Sequence, residues 1–338
     1  MRRTFASTLS RRSLLATLAG GAILALSRTS LADGAPVPFS PRVRTTSRDA
    51  RGVTLWLELE HAPFPAPNAG YKDRTVLVFV PHHFRCGRSD AVSMLVHFHG
   101  HSSTAERAMV SHELREQFFD SKQNGILVMP QGPVSSSDSS CGKLESALGL
   151  ARMLDEALAV LATPDARSTL GSAAIPRGAR IGTTCLSAHS GGYHAAAACL
   201  KHGGVEINEV YLFDALYNES EIFKAWVIAG KGRPAHTRHK LVSYFTEGGT
   251  TSSLTRQLFG ELDKAGVHTA IEVKEGSLSR EEITRAEAVA IRTALWHNNV
   301  THELNGLRDC LYASGMTRRL RSAWFDHKED ARPLERRR

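Results

Sequence analysis

Apolar positions along the chain fall into short continuous runs separated by longer stretches with helical spacing. Val53–Glu60 and Thr75–Pro81 read as strands, with a Pro- and Gly-containing loop between them. Met94–Phe98, Ile126–Pro130, Arg180–Leu186, Glu209–Phe213, Lys240–Thr246 and Thr269–Lys274 are further strand candidates. Between them, Ala105–Phe119, Leu144–Leu161, Gly192–Leu200, Glu219–Ile228 and Ser252–Lys264 place apolar residues about every three to four positions, as helices do. Ala288–Trp296 reads either as a strand or as the end of a helix begun at Ser279, and Leu304–Tyr312 as a last helix. Strands alternating with helices predict a mostly parallel central sheet with helices on both faces. Uninterrupted apolar strands fit a sheet covered on both sides. The first two strands, joined by a loop rather than a helix, predict an antiparallel N-terminal edge.

The chain divides into four segments: residues 1–32, a linker or arm over 33–50, one large domain over 51–316 and a charged tail over 317–338. At 338 residues with 42% apolar and 22% charged positions, it has enough material for a sizeable core. No internal repeat is visible. The net charge of +8 suggests a nucleic-acid binder only at first sight. Five of the excess positive charges lie in residues 1–32 and three more are Arg336, Arg337 and Arg338. The middle is near neutral, and aromatics are only 7%, so no nucleic-acid partner is expected.

Residues 1–32 combine Ser10-Arg11-Arg12, an apolar run from Leu14 to Leu26 and small residues around Leu31. A positive segment, a short apolar segment and a cleavage site in that order read as an export signal. This one resembles a twin-arginine signal, which implies the twin-arginine export machinery as a partner and a bacterial periplasmic or secreted destination. No later stretch is apolar enough to span a bilayer, so no stable membrane insertion is expected once the signal is cleaved. Five cysteines are present. Cys86 and Cys141 sit in loops and are candidates for pairing after export, whereas Cys185 and Cys199 read as buried apolar residues. No Cys-x-x-Cys pair occurs, which argues against a thiolate zinc site.

The sharpest chemical signal is Thr184-Cys185-Leu186-Ser187-Ala188-His189-Ser190-Gly191-Gly192. A strand feeds a tight turn and the turn feeds a helix, with Ser190 at the apex. Such an elbow crowds its neighbours, so positions 188 and 192 must be small. It lifts the serine hydroxyl clear of the sheet and aims the Gly191 N–H at a reacting oxygen. A second segment, Val96-His97-Phe98-His99-Gly100-His101, ends an early strand.

Together these segments resemble the α/β-hydrolases over roughly residues 50–315, with Ala188 where the elbow usually has Gly. The turn Val128-Met129-Pro130-Gln131-Gly132-Pro133 and the strand Val210–Asp214 fit the same resemblance. It implies an α/β-hydrolase fold and an exported serine hydrolase, cleaving an ester or amide substrate through an acyl-enzyme with no cofactor. By resemblance, the triad runs Ser190, then an acid, then a histidine. The base is expected to be His297, at a strand end, with His302 as the alternate. The acid is expected to be Asp214, with Glu247 as the alternate. The oxyanion donors are expected around Gly191, Gly100 and His101, and His189 and His99 are candidate substrate contacts.

Two other readings compete. His97, His99 and His101 alternate along a strand, as a metal-dependent hydrolase would need. No following Asp and no His-Glu-x-x-His support it, and the expectation for metal is none. A hydrolase fold that only binds is the third.

Overall fold

The computed structural model describes residues 39–335; the export-signal reading falls outside them. Ten strands form one sheet: β1 (Arg42–Arg48), β2 (Gly52–Glu58), β3 (Thr75–Pro81), β4 (Ala91–Phe98), β5 (Gly125–Pro130), β6 (Arg180–His189), β7 (Ile207–Phe213), β8 (Lys240–Thr246), β9 (Thr269–Glu272) and β10 (Ala288–Thr293). Their spatial order is β1-β2-β3-β5-β4-β6-β7-β8-β10-β9. The first three strands run antiparallel to their neighbours, and every pair from β5 to β9 is parallel. Strands β3, β5 and β7 are buried along their whole length, because the sheet is covered on both faces.

Helices α1 (Ala105–Ser111), α2 (Leu114–Asp120), α8 (Arg280–Arg285) and α9 (Gly306–Tyr312) contribute to one apolar layer. Helices α3 (Gly149–Leu161), α4 (Pro164–Leu170), α5 (Tyr193–His202), α6 (Ser220–Ala229) and α7 (Thr250–Lys264) contribute to the other. In α3 the apolar face Leu150, Met153, Leu154, Ala157, Leu158 and Leu161 is buried at helical spacing.

Local backbone geometry accounts for several departures from the sequence reading. The helix expected over Ala105–Phe119 is two helices, because Glu113 takes a left-handed conformation at φ 48°. The helix expected from Leu144 starts at Gly149, since Leu148 is also left-handed at φ 61°. Residues 288–293 are strand, and Ser279 caps the separate α8 with a reciprocal Ser279–Glu282 capping box.

Two segment assignments change. The arm expected over 33–50 supplies β1, a solvent-facing edge strand whose Arg42, Arg44 and Arg48 explain why its sequence does not look apolar. The stretch read as a charged tail packs back on the domain through bridges at Gln123/Arg318 and Ser279/Ala331. Its Trp324 and Arg332 are buried, and Arg332 pairs with Glu272 at 2.9 Å and Glu275 at 3.5 Å. No described helix is long and apolar enough to cross a membrane.

Candidate active site

Strand β6 delivers Ser190, and the chain turns there through a one-turn helix, Ser190–Gly192, into α5. Ser190 has φ 53°, a left-handed conformation that costs a non-glycine residue energy and is held only where the surroundings enforce it. They do so by close packing. A Cβ on Gly192 would meet the Phe98 carbonyl at 2.5 Å, and one on Gly191 would collide with the Ser137 carbonyl. A Cβ on Gly100 would lie 2.8 Å from the Ser190 Cβ. The end of β4 and the elbow are therefore in direct contact, which brings Gly100, His101, Ser190 and Gly191 to one sheet edge.

Strand β7 ends in Asp214, also left-handed at φ 46° and buried. Its Oδ1 accepts from the Thr246 N–H (3.2 Å) and the Thr251 hydroxyl, and its Oδ2 from the Thr246 hydroxyl (3.0 Å). The fourth donor is the Nδ1–H of His297, 2.7 Å from Oδ2. Burial pushes the Asp214 carboxyl up, but the bonds from His297, Thr251 and Thr246 outweigh it and hold it below its ordinary 3.8. Donating Nδ1–H to Asp214 leaves the His297 Nε2 lone pair as an acceptor. His297 is tied to the elbow as well: its carbonyl accepts from His189 Nε2–H at 2.9 Å, and the two rings lie 4.7 Å apart.

The alternates make different contacts. Glu247 pairs with Arg256 (2.5 Å) and Arg292 (2.6 Å) rather than with an imidazole. His302 is half-buried and stacks on His112 at 6.0 Å.

His189 and His99, the expected substrate contacts, are both buried and bonded within the protein. His99 donates Nδ1–H to the Gly100 carbonyl (2.9 Å) and accepts at Nε2 from the Gly132 N–H (3.0 Å), so it locks the end of β4 to the turn after β5. His189 stakes the His297 loop to β6. Among the described residues the histidine row does not gather into a ligand cluster either. His97 hydrogen-bonds Ser187 Oγ at 2.7 Å, His99 is saturated as above, and His101 lies past the strand end, exposed. The three do not converge, because β4 stops at Phe98.

Sequence reasoning missed the histidine cluster behind the site. His112 contacts His189 at 4.6 Å and His97 at 6.3 Å, ring centre to ring centre. It reaches them from the break between α1 and α2, which periodicity concealed. The signal was the count of 16 histidines alone. The Ser-rich loop after β5 proves to be part of the site wall: Ser137 abuts Gly191, and the Ser139 hydroxyl donates to the His99 carbonyl (3.2 Å). An open cavity of about 760 Å³ is walled by His297 itself together with Trp296, Glu247, Arg292, Lys274 and Glu275. Cys86 and Cys141, the candidate disulfide, are both free thiols.

No protein-family model matches the chain, and no curated protein matches it. Among solved structures it is similar to a ferulic acid esterase at 12% identity and TM-score 0.42, over 81% of this chain and 96% of that one. It is also similar to an S-formylglutathione hydrolase from Agrobacterium tumefaciens (10%, TM-score 0.41, 80% of this chain and 96% of that one). A third is the feruloyl esterase module from Clostridium thermocellum complexed with sinapinate (10%, TM-score 0.41, 82% and 96%). Likeness of this degree assigns neither a family nor a substrate. The sheet, antiparallel at its N-terminal edge and parallel beyond, with β5 and β4 exchanged in spatial order and helices on both faces, has the α/β-hydrolase fold.

Proposed function

We propose that this chain is a serine hydrolase that cleaves a carboxylic ester or amide through an acyl-enzyme. The observation that carries the reading is the Asp214–His297 pair at 2.7 Å, staked by His189 to the elbow on which Ser190 stands.

In this reading Ser190 Oγ attacks the substrate carbonyl while His297 Nε2 takes its proton. Asp214 stays ionised; it fixes the imidazole tautomer and stabilises the imidazolium. The N–H groups of Gly191 and His101 receive the oxyanion, each worth about 3 kcal/mol of barrier. His297 then protonates the leaving alcohol or amine, and water, deprotonated by His297, releases the acid. Esters are the first substrates to test, as the similar solved structures are named esterases and hydrolases. Export through a twin-arginine route, with a periplasmic or secreted site of action, belongs to the same proposal and rests on residues 1–32.

The test is hydrolysis of p-nitrophenyl acetate and butyrate. Ser190→Ala and His297→Ala should abolish turnover while the thermal melt stays within a few degrees, and His302→Ala should remain active. Undiminished turnover in Ser190→Ala refutes the reading.

A further inference from the structure

Three ligand-type side chains from two chain segments converge beside the elbow. Cys141, Glu145 and His194 each offer one atom, and these atoms lie within 4.8 Å of one another. Glu145 Oε1 is 3.6 Å from Cys141 Sγ and 3.5 Å from His194 Nε2. Zinc–ligand bonds of about 2.3 Å to sulfur and about 2.1 Å to nitrogen and oxygen, set at the tetrahedral angle, give edges of about 3.6 Å (S to O) and about 3.4 Å (N to O). Two edges of a zinc tetrahedron are thus already laid out.

The partner of the other imidazole nitrogen is an independent observation. His194 Nδ1 is 3.2 and 3.3 Å from the two oxygens of Glu219, the residue that precedes α6. Donation of Nδ1–H to Glu219 turns the Nε2 lone pair towards Glu145 Oε1. Glu145 Oε1 also accepts the Cys141 backbone N–H at 3.2 Å, and a positive centre between it and the Nε2 lone pair, a metal ion or a second imidazole proton, would satisfy both. A carboxylate behind the imidazole of a ligating histidine is the usual outer support of a metal site. Among the described residues no lysine or arginine pairs with Glu145, Glu219 or the neighbouring Asp138. The thiol side chain of Cys141 is sheltered at 3% exposure, while Glu145 (47%) and His194 (27%) leave an entry path.

We propose that Cys141, Glu145 and His194 bind one divalent transition ion of the zinc class, with Glu219 orienting the imidazole and a fourth position open to water. Binding displaces one proton, from the Cys141 thiol to solvent; no redox change occurs. The ion would clamp the loop after β5, whose Ser137 abuts Gly191, to the first turn of α5, four residues beyond Ser190. No Cys-x-x-Cys is involved, so a search for paired thiols passes over it. The site does not depend on the hydrolase reading.

The probe is cobalt(II) alone, titrated into reduced, chelator-treated full-length protein, followed in the near ultraviolet, then competed with zinc(II). We expect a thiolate-to-cobalt charge-transfer band saturating at one ion per chain and bleached by zinc. Cys141→Ser should lose the band. Glu145→Gln, His194→Gln and Glu219→Gln should keep it with affinity at least tenfold weaker. Circular dichroism identifies any variant that fails to fold, and wild type with the Glu219→Gln change then still decides. Absence of the band in folded wild type overturns the proposal, as does a band unaltered in Cys141→Ser or an affinity unaltered in His194→Gln and Glu219→Gln. Such results would assign the positive centre to an imidazolium between two carboxylates.

Discussion

Acidification from about pH 8 to about pH 5 should cost this protein much of its folding free energy, well above the range in which its carboxylates titrate. The perturbation acts on imidazoles packed behind the candidate active site. Burial, reinforced by neighbouring imidazoles, lowers His97 from 6.5 to about 3 and His112 to about 2. Burial likewise lowers His189 to about 4, against the opposing bond to the His297 carbonyl. His97 meets a hydroxyl and His189 a carbonyl, neither of which carries the charge that would hold a proton on the ring. Because the folded-state values are depressed, the unfolded chain takes up protons first as pH falls. Their stabilising contribution is complete above 6.5 and is lost as pH drops from there towards the folded values. Each contributes a slope of about 1.4 kcal/mol per pH unit in that window, so each costs roughly 2 kcal/mol by pH 5 and the three roughly 6 kcal/mol. Against a typical net stability of about 5–15 kcal/mol, that sum is decisive. His83 and His99 are lowered too and act in the same direction. Asp214, held below 3.8, contributes only at lower pH, so the windows separate. Urea unfolding at several pH values measures the slope, and proton uptake on unfolding near pH 5.5 measures its cause. His112→Gln should flatten the slope by about a third of the three-histidine share. A stability flat from pH 7 to 5, or uptake of less than one proton, refutes the reasoning.

Replacing Asp214 by Asn puts an amide where four donors converge, so His297 loses the acceptor that fixes Nδ1–H. We expect kcat to fall about 10³–10⁴-fold with the fold intact, by the tautomer argument. Glu247→Gln, whose partners are Arg256, Arg292 and Ser252 rather than an imidazole, should keep kcat within about threefold; steady-state ester kinetics on both variants checks the pair. Arg332→Met should destabilise by about 3–5 kcal/mol, since it leaves Glu272 charged and buried without its partner. Urea midpoints measure this, and Arg332→Met combined with Glu272→Gln should recover part of the loss.

The inner strands of the sheet were legible because they are buried on both faces and therefore uniformly apolar: the antiparallel Thr75–Pro81 and the parallel Lys240–Thr246 are both strands to the residue. Elements whose stability comes from tertiary contact were not legible. The edge strand β1 is polar, α4 is short with few buried residues, and the segment after Thr317 is held by a buried ion pair rather than by an apolar stripe. Left-handed residues at Glu113 and Leu148 broke or delayed helices that periodicity would continue. In the candidate site, local order was readable because a strand–turn–helix with small residues around Ser190 is a contiguous pattern. The pairing of residues 214 and 297, the burial of His99 and His189, and the meeting of Cys141, Glu145 and His194 depend on chain segments far apart in sequence. Spacing alone carries no signal for them.

The most direct measurement is reaction of the folded protein with a fluorophosphonate, followed by mass spectrometry of the digested chain. A single phosphonyl adduct on the hydroxyl of residue 190, formed in wild type, slowed in His297→Ala and absent from Ser190→Ala, is the predicted result. A folded wild type that stays unmodified, or carries the adduct on another residue, would contradict the account.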